Sequence, residues 1–565
     1  MRIDHPLHHA FREIVGPRHV LTGARETARF RTGYRTGTGS AIAVVRPGSL
    51  TQLWRVAQAC VSADVTIIMQ ASNTGLTGGS TPAGDDYPGG VVVISTSRLK
   101  GIHLVRGGSQ VICLPGATLH ELEAVLVPIG REPHSVIGSS CLGASVIGGV
   151  CNNSGGSLVQ RGPAYTQLGL FGSIGQDRQL RLVNHLGVEL GDDPEHVLDR
   201  LEAGSFAPED VQDCTDRLAH DRSYAQHVRQ IDSDQPARFN ADERCLYETA
   251  GSAGKLIVFA VRLDTFPKSE GDVTFYLGTD DPAKFTDLRR TILSAFDELP
   301  VAGEYMHRTA FDIADVYGKD MFAAIKRLGT SRLPTLFAAK ARIDGWADRF
   351  GFLGPNLSDR LMQRFGRLLP DHLPPRMREF RDRFEHHLIV KMPFTEAVKT
   401  RSVLAQQFGH PDSAFFECTP DEANSAFLHR FVTAGAAVRY RAIHRDEVED
   451  IVALDIALPR NTRDWVEVLP DHIASPVIHS LYYGHFFCQV FHQDYIVRKG
   501  TDALALEHMM WKMLDERGAE YPAEHNVGHL YRAKPDLAGF YRGLDPCNQL
   551  NPGIGSTTRE RFWAE

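Results

Sequence analysis

Between Gln70 and Pro82 the chain reads QASNTGLTGGSTP, a run dominated by Gly, Ser and Thr that directly follows the apolar stretch Val65–Met69. Such a loop can aim several backbone N–H groups at a diphosphate, because glycine tolerates positive φ and lets the ligand come close. It carries no Walker lysine, and no G-x-G-x-x-G opens a helix here, so taken alone it also reads as a solvated turn. A second small-residue segment, Pro133–Gly162, threads Val136, Ile137, Leu142, Val146, Ile147 and Val150 through glycines and serines. That composition suits a buried backbone wrapped around a flat ligand. A third patch, Ala250–Leu256 (AGSAGKL), leads into the strand-like run Ile257–Leu263. Three such patches in the first half of the chain point to one large cofactor.

The elements that must hold these loops alternate. β-rich runs at Ala41–Val45, Val65–Met69, Val91–Ser95, Val111–Leu114 and Ile257–Leu263 are interleaved with helical patterns at Leu50–Ala63 and Leu119–Leu126. A Rossmann reading of Gly37-Thr38-Gly39 fails because a strand, AIAVV, follows where a helix is required.

Thr74-Gly75-Leu76-Thr77-Gly78-Gly79 resembles, residue for residue, part of the R-G-G-G-T-G-L-T-G-G pyrophosphate loop of flavoproteins related to vanillyl-alcohol oxidase. Gly148-Gly149 and Asn153-Ser154-Gly155-Gly156 resemble that superfamily's I-G-G-x-x-x-N-x-G-G, and Gly251–Leu256 resembles its G-S-E-G-x-L. PHSVIGSS, NNSGGSLVQRGPAYT, VAGEYMHR, HLPPRM, YYGHFF and YPAEHNVGHLY extend a similarity to the quinone-dependent D-lactate dehydrogenases, respiratory flavoenzymes of bacteria. The resemblance implies an α+β architecture: a two-subdomain FAD-binding fold, an α/β substrate cap and a basic, largely helical membrane-binding insert. The implied bounds are 1–265 for the FAD-binding domain, 266–305 and 391–515 for the cap, 306–390 for the insert, and 516–565 for a return to the FAD-binding domain. FAD contacts are implied at Ala71, Ser72, Asn73, Thr74, Gly75, Gly79, Ser80, Gly138, Ser145, Gly148, Gly155 and Ile257, with no covalent anchor evident.

Glu524-His525 and Asp545–Gly555 resemble the superfamily's E-H-G-x-G and D-P-x-x-x-L-N-P-G, with Asn526 where relatives often carry glycine. Histidine titrates near neutrality, so His525 suits taking a hydroxyl proton as a hydride leaves. His485 and His492 resemble the ends of G-H-x-G-D-G-N-x-H, which with the Glu of E-H-G-x-G binds a divalent metal in 2-hydroxyacid relatives. On a helix, residues seven apart are separated by about 10.5 Å, so shared ligation needs a turn. Here G-D-G-N is replaced by Phe487-Cys488-Gln489-Val490, which leaves two readings of His485, His492 and Glu524: a zinc or manganese site, or a metal-free substrate pocket. Arg430, in FLHRF, lies where relatives have a W-x-L-R-E arginine and is the candidate partner of a lactate carboxylate; a surface ion pair is the alternative.

At 565 residues, with 23% charged and 42% hydrophobic residues, the chain is long enough for several globular domains. Its net charge of −8 argues against nucleic acid as a partner. Nine scattered cysteines without a C-x-x-C read as reduced thiols, and the first twenty residues lack the apolar core of a secretory signal. No run is apolar enough to span a bilayer. Residues 326–391 nevertheless carry fourteen Lys/Arg against seven Asp/Glu, interleaved with Leu333, Leu336, Phe337, Trp346, Phe350, Phe352, Leu353, Leu361, Met362 and Phe365. This is the character of an interfacial surface, expected to meet anionic lipid through bases that include Arg376, Arg378, Arg381 and Arg383. The implied partners are D-lactate, a membrane quinone and an anionic membrane surface, with the protein peripheral on the cytoplasmic face of the bacterial inner membrane. A soluble 2-hydroxyacid dehydrogenase with another acceptor and a non-catalytic flavin-binding subunit are the alternatives.

Overall fold

The computed structural model describes residues 5–135, 143–269, 271–329, 340, 343 and 356–564. Gly138 and most of the middle of the basic insert lie outside the described residues.

Three main sheets organise the molecule. The first has four strands in the order Val20–Leu21, Ala43–Val45, Val91–Ser95, Thr66–Gln70, the last three mutually parallel. Parallel strands are buried on both faces, which is why Val91–Ser95 reads as an unbroken apolar run. The helix Leu50–Ser62 makes the crossover. Ser49 caps it, its hydroxyl accepting Gln52 N–H at 3.1 Å, and Leu53, Trp54, Val56, Ala57 and Cys60 turn inward at helical spacing. The second sheet is antiparallel, ordered Ile102–Val105, Gln110–Cys113, Ile257–Asp264, Gly169–Ile174, Leu180–Asn184.

The third sheet has seven antiparallel strands, ordered Ser413–Glu417, Val273–Thr279, His386–Met392, Ala302–His307, Val477–His485, Val490–Arg498, Val448–Ala457. Strand side chains alternate in direction, so this sheet builds two cores. Tyr305, Leu388, Val390, Phe491 and Tyr495 enter one, with Phe285 and Ile292 of the helix Pro282–Ala295 and Leu506 of the helix Ala503–Glu516. Tyr276, Met306, Ile389, Leu481 and Tyr483 enter the other, with residues of the helices Arg308–Tyr317, Pro420–Phe431 and Thr433–Ile443.

The C-terminal segment packs back on the first sheet, where Gln549 O accepts Ile67 N–H at 3.1 Å and Ile67 O accepts Asn551 N–H at 2.9 Å. Asn551 Nδ2 donates to Gly79 O at 2.8 Å and to Ala253 O at 2.9 Å. One side chain thus ties the glycine-rich loop after Gln70 to the small-residue patch before Ile257.

Part of the basic insert departs from its expected disposition. Arg376 is forked by Glu422 (Nε–Oε1 2.7 Å), Arg378 lies between Asp315 (Nη1–Oδ2 2.7 Å) and Asp371, Arg381 pairs with Asp312 (2.7 Å) and Asp382, and Arg383 pairs with Glu379 (3.1 Å). Each of these four arginines, with its side chain 31–44% exposed, has a carboxylate partner, so the charge it could offer a lipid surface is already partly answered. Three of their partners, Asp312, Asp315 and Glu422, lie outside the window in which the charge excess is read.

Candidate active site

Period-2 alternation on the seven-stranded sheet gathers the polar centre. Glu304 stands directly opposite His485, and His492 directly opposite Asp455, on four consecutive strands and one face. His485 and His492 are joined by a hairpin and not by a helix. Its tip is Phe486–Cys488 followed by Gln489 in the left-handed conformation (φ 52°), so the sequence that replaces G-D-G-N still makes the reversal.

The groups form an alternating chain of charge. Arg430 Nε lies 3.1 Å from Glu304 Oε2, Glu304 Oε1 is 2.7 Å from His485 Nδ1, His485 Nε2 is 3.3 Å from Glu524 Oε2, and Glu524 Oε1 is 2.5 Å from Arg238 Nη2. Burial alone would neutralise these groups, but each has an opposite neighbour. Burial opposes charge on His485, yet Glu304 and Glu524 on either side outweigh it and lift its pKa to about 10. Burial likewise raises Glu304 and Glu524, but the cations beside them win, and both carboxyls fall below their ordinary range. His492 is pushed well down, first by burial and then by the charges of His485 and Arg430. Burial raises Asp455, against the opposing pull of His525.

Asp455 also joins this sheet to the C-terminal segment. Its Oδ2 accepts the Glu524 N–H at 2.7 Å and lies 3.7 Å from His525 Nε2, while its Oδ1 is 3.4 Å from His492 Nδ1. On the opposite side, Asn526 O accepts the Thr77 hydroxyl at 2.7 Å, and Asn526 Nδ2 donates to Asn152 Oδ1 at 2.7 Å. His525 is therefore held between the glycine-rich loops and the seven-stranded sheet. Asn526, in place of the usual glycine, makes one of the bonds that hold it there.

The glycine-rich loops fit a flavin diphosphate. Gln70 Nε2 draws the ends of the first loop together by donating to Phe30 O (2.9 Å) and Ser80 O (2.7 Å). Asn73, at φ 54°, is fixed by Thr32 O and by the Ser80 hydroxyl. Ser72 Oγ donates to Gly143 O, which sets the second loop beside the first. A Cβ built on Gly75 or on Gly143 would meet nothing within 4 Å. No backbone N–H from Ser72 to Gly75 has a partner among the described residues. Open space over unused donors is what an anionic cofactor requires.

The remaining expected flavin residues are placed as follows. Ser145 caps the short helix Val146–Cys151 and accepts Gly148 N–H at 3.0 Å, so its hydroxyl is already engaged. A Cβ on Gly155 would strike Glu524 Oε1, so this glycine makes room for the site carboxylate. Ile257 begins its strand with its side chain fully buried in the core.

Arg430 is buried and stacks on the Tyr483 ring at 4.4 Å; neither terminal nitrogen of its guanidinium makes a hydrogen bond among the described residues. One ligand atom from each of His485, His492 and Glu524 lies within 4.8 Å of the others. Glu304 at Nδ1 of His485 leaves that ring's Nε2 to face Glu524, while Asp455 lies 3.4 Å from Nδ1 of His492. That donor set fits zinc or manganese, and a carboxylate on the far nitrogen is the usual way to fix a ligating ring. Asp455, His492 and His525 form a second group within the same distance. Sequence reasoning missed Glu304, Asp455 and Arg238, although VAGEYMHR contains Glu304.

The loops, the cap sheet and the returning C-terminal segment together define an FAD-binding flavoprotein of the two-subdomain type. Residues 41–168 match the family described as FAD binding domain, and residues 274–563 match the one described as D-lactate dehydrogenase, membrane binding. The chain is 56% identical over 552 residues to a quinone-dependent D-lactate dehydrogenase of Escherichia coli strain K12, covering 98% of this chain and 96% of that one. It is 54% identical to the protein of that name from Haemophilus influenzae, covering 98% of both. In fold it resembles substrate-bound p-cresol methylhydroxylase, with a TM-score of 0.57 at 10% identity, covering 98% of this chain and 96% of that one. The chain belongs to the quinone-dependent D-lactate dehydrogenase family. Among the described residues no helix is long and apolar enough to cross a membrane; with the membrane-binding family match, the protein is a peripheral membrane protein.

Proposed function

We propose that the chain oxidises D-lactate to pyruvate where the flavin-side loops meet the cap sheet, and that the electrons go on to a membrane quinone. The observation that carries this reading is the seat of His525, bonded through its neighbours to Thr77 and Asn152 on one side and to Asp455 on the other. FAD, when bound, supplies the acceptor for the C2 hydride. Arg430 offers the lactate carboxylate its two terminal nitrogens, which make no hydrogen bond among the described residues, a pairing that planar guanidinium favours. His525 takes the hydroxyl proton. His485, His492 and Glu524 would hold a divalent cation, whose contribution would be Lewis-acid polarisation of substrate oxygen. The test is anaerobic addition of D-lactate to the purified flavoprotein. Stoichiometric bleaching of the flavin absorbance is expected, and unchanged absorbance would overturn the reading.

Membrane docking rests on the helix Leu357–Leu368, which is amphipathic in the inverse sense. Ser358, Asp359, Gln363 and Gly366 face the protein, whereas Leu361, Phe365 and Leu368 are 51, 60 and 82% exposed. Their spacing puts them on one stripe. Exposed Arg364 and Arg367 flank it. Gln363 Nε2 donates to Val316 O at 3.0 Å, and Asp359 pairs with Arg439 at 2.7 Å, so the polar face is the one fastened to the cap. An outward apolar stripe beside bases suits an anionic bilayer surface. We assign the docking side to the cytoplasmic face of the bacterial inner membrane, because the eight described cysteines are all free, as suits a reducing compartment.

A further inference from the structure

Glu304 lies on the strand Ala302–His307 and is 4% exposed. Its oxygens are divided between two partners, Oε1 taking His485 Nδ1 at 2.7 Å and Oε2 facing Arg430 Nε at 3.1 Å. Arg430 reaches it from the helix Pro420–Phe431. The rotation of that helix is set by the preceding residue, His429, which is fully buried with its ring 4.2 Å from that of Phe311. A long arginine side chain would otherwise sweep many rotamers. Here the guanidinium carbon lies 4.4 Å over the Tyr483 ring, and the ion pair with Glu304 draws its Nε end inward without a well-aligned hydrogen bond. With Nε held, the end bearing Nη1 and Nη2 is the part left to meet a ligand.

We propose that Glu304 is a positioning residue for the reaction: one carboxylate aligns the substrate-carboxylate anchor Arg430 and the site histidine His485 together. This rests on the reading of Arg430 given above. It makes the two halves of the site interdependent, because moving Oε2 to suit Arg430 moves Oε1 on His485.

The test keeps the charge and removes the reach. The substitution Glu304→Asp leaves a carboxylate one methylene too short to satisfy both partners. Dissociation constants of pyruvate and of its neutral amide, pyruvamide, are read from the flavin absorbance of the oxidised holoenzyme, so no turnover intervenes. E304D should retain full flavin while its preference for the carboxylate over the amide falls roughly tenfold, the scale of one charge-assisted hydrogen bond. R430K should lose that preference by itself, and E304D should subtract nothing further in the R430K background. A purely structural Glu304 would weaken both ligands alike. An unchanged preference in E304D, loss of flavin from E304D, or additive losses in the double variant would overturn the proposal. Wild-type preference in R430K would instead remove the reading of Arg430, and this proposal with it.

Discussion

Lowering the pH from 7.5 to 5 should loosen the cap where His372, His387 and His429 meet. The three rings lie beneath the helix Arg308–Tyr317, with His429 against Phe311, His387 5.5 Å from Phe311, and His372 6.2 Å from His429. None of their six ring nitrogens makes a well-formed hydrogen bond among the described residues. Burial is the first cause of their shifts, driving His387 and His429 to about 3 and His372 to about 4. Asp315, facing His372 at 3.7 Å, pulls the other way, while Arg378 and Lys319 reinforce the depression. The sign follows from proton counting. Between the folded values and about 6.5 the unfolded chain binds protons that the folded one excludes, so stability is complete above about pH 7 and is lost as the pH falls. At pH 5, about 1.5 units below the unfolded value, keeping a ring neutral costs about 2 kcal/mol, or at most about 6 for the three, with the partly exposed His372 contributing less. That is a large part of the roughly 5–15 kcal/mol that holds a typical domain. Hydrogen exchange of the strand His386–Met392 reads the effect, because His387 lies on it. His387→Leu with His429→Leu should remove about 4 kcal/mol of the loss of protection, while His386 on the same strand, also pushed down to about 4 by burial, keeps part of the pH dependence in place. Equal pH dependence in the wild type and the double variant would refute the reasoning.

Gly75→Val should give folded, colourless protein, because its side chain fills the open space above the donor loop; flavin retained in full would count against the placement. His525→Ala should keep FAD while flavin reduction by D-lactate slows roughly 10²-fold or more, measured in a single turnover. For the metal, elemental analysis of active enzyme should find about one divalent ion per chain, lost in His485→Ala; active enzyme without a transition metal would end that version. Leu361→Ser with Phe365→Ser and Leu368→Ser should abolish flotation with anionic vesicles without slowing flavin reduction, whereas reversing Arg376, Arg378, Arg381 and Arg383 should chiefly destabilise the cap. Undiminished flotation of the triple variant would dismiss the helix.

The glycine-rich loops that would cradle a flavin stand out in the sequence because their signal is local. Glycines, small hydroxyl residues and a preceding apolar run are adjacent in sequence and adjacent in space, and the strands Val91–Ser95 and Ile257–Asp264 fall where β-rich runs stand. His485 and His492 were readable as a pair, since seven residues can hold one hairpin. Glu304 was not. Its partners are 126 and 181 residues away along the chain, at Arg430 and His485, and one glutamate in a strand has no local signature. The same non-locality bears on the arginines: their charge is real, but acids from other helices partly answer Arg376, Arg378 and Arg381, whereas Arg383 pairs with Glu379 of its own helix. Composition measures how much charge a segment carries, not what that charge faces.

The inverse helix Leu357–Leu368 lives in two electrostatic media. Arg439 binds Asp359 and, at 3.3 Å, Asp320, all three nearly inaccessible to water, so dissolved ions cannot reach between them. Arg364 and Arg367 on its outer side sit in electrolyte, where attraction fades over about 8 Å at physiological ionic strength. On the docking proposed above, ionic strength would grade how firmly the protein holds a charged bilayer while leaving the helix seated on its cap, so release would deliver an intact, flavin-competent enzyme into solution that is able to return.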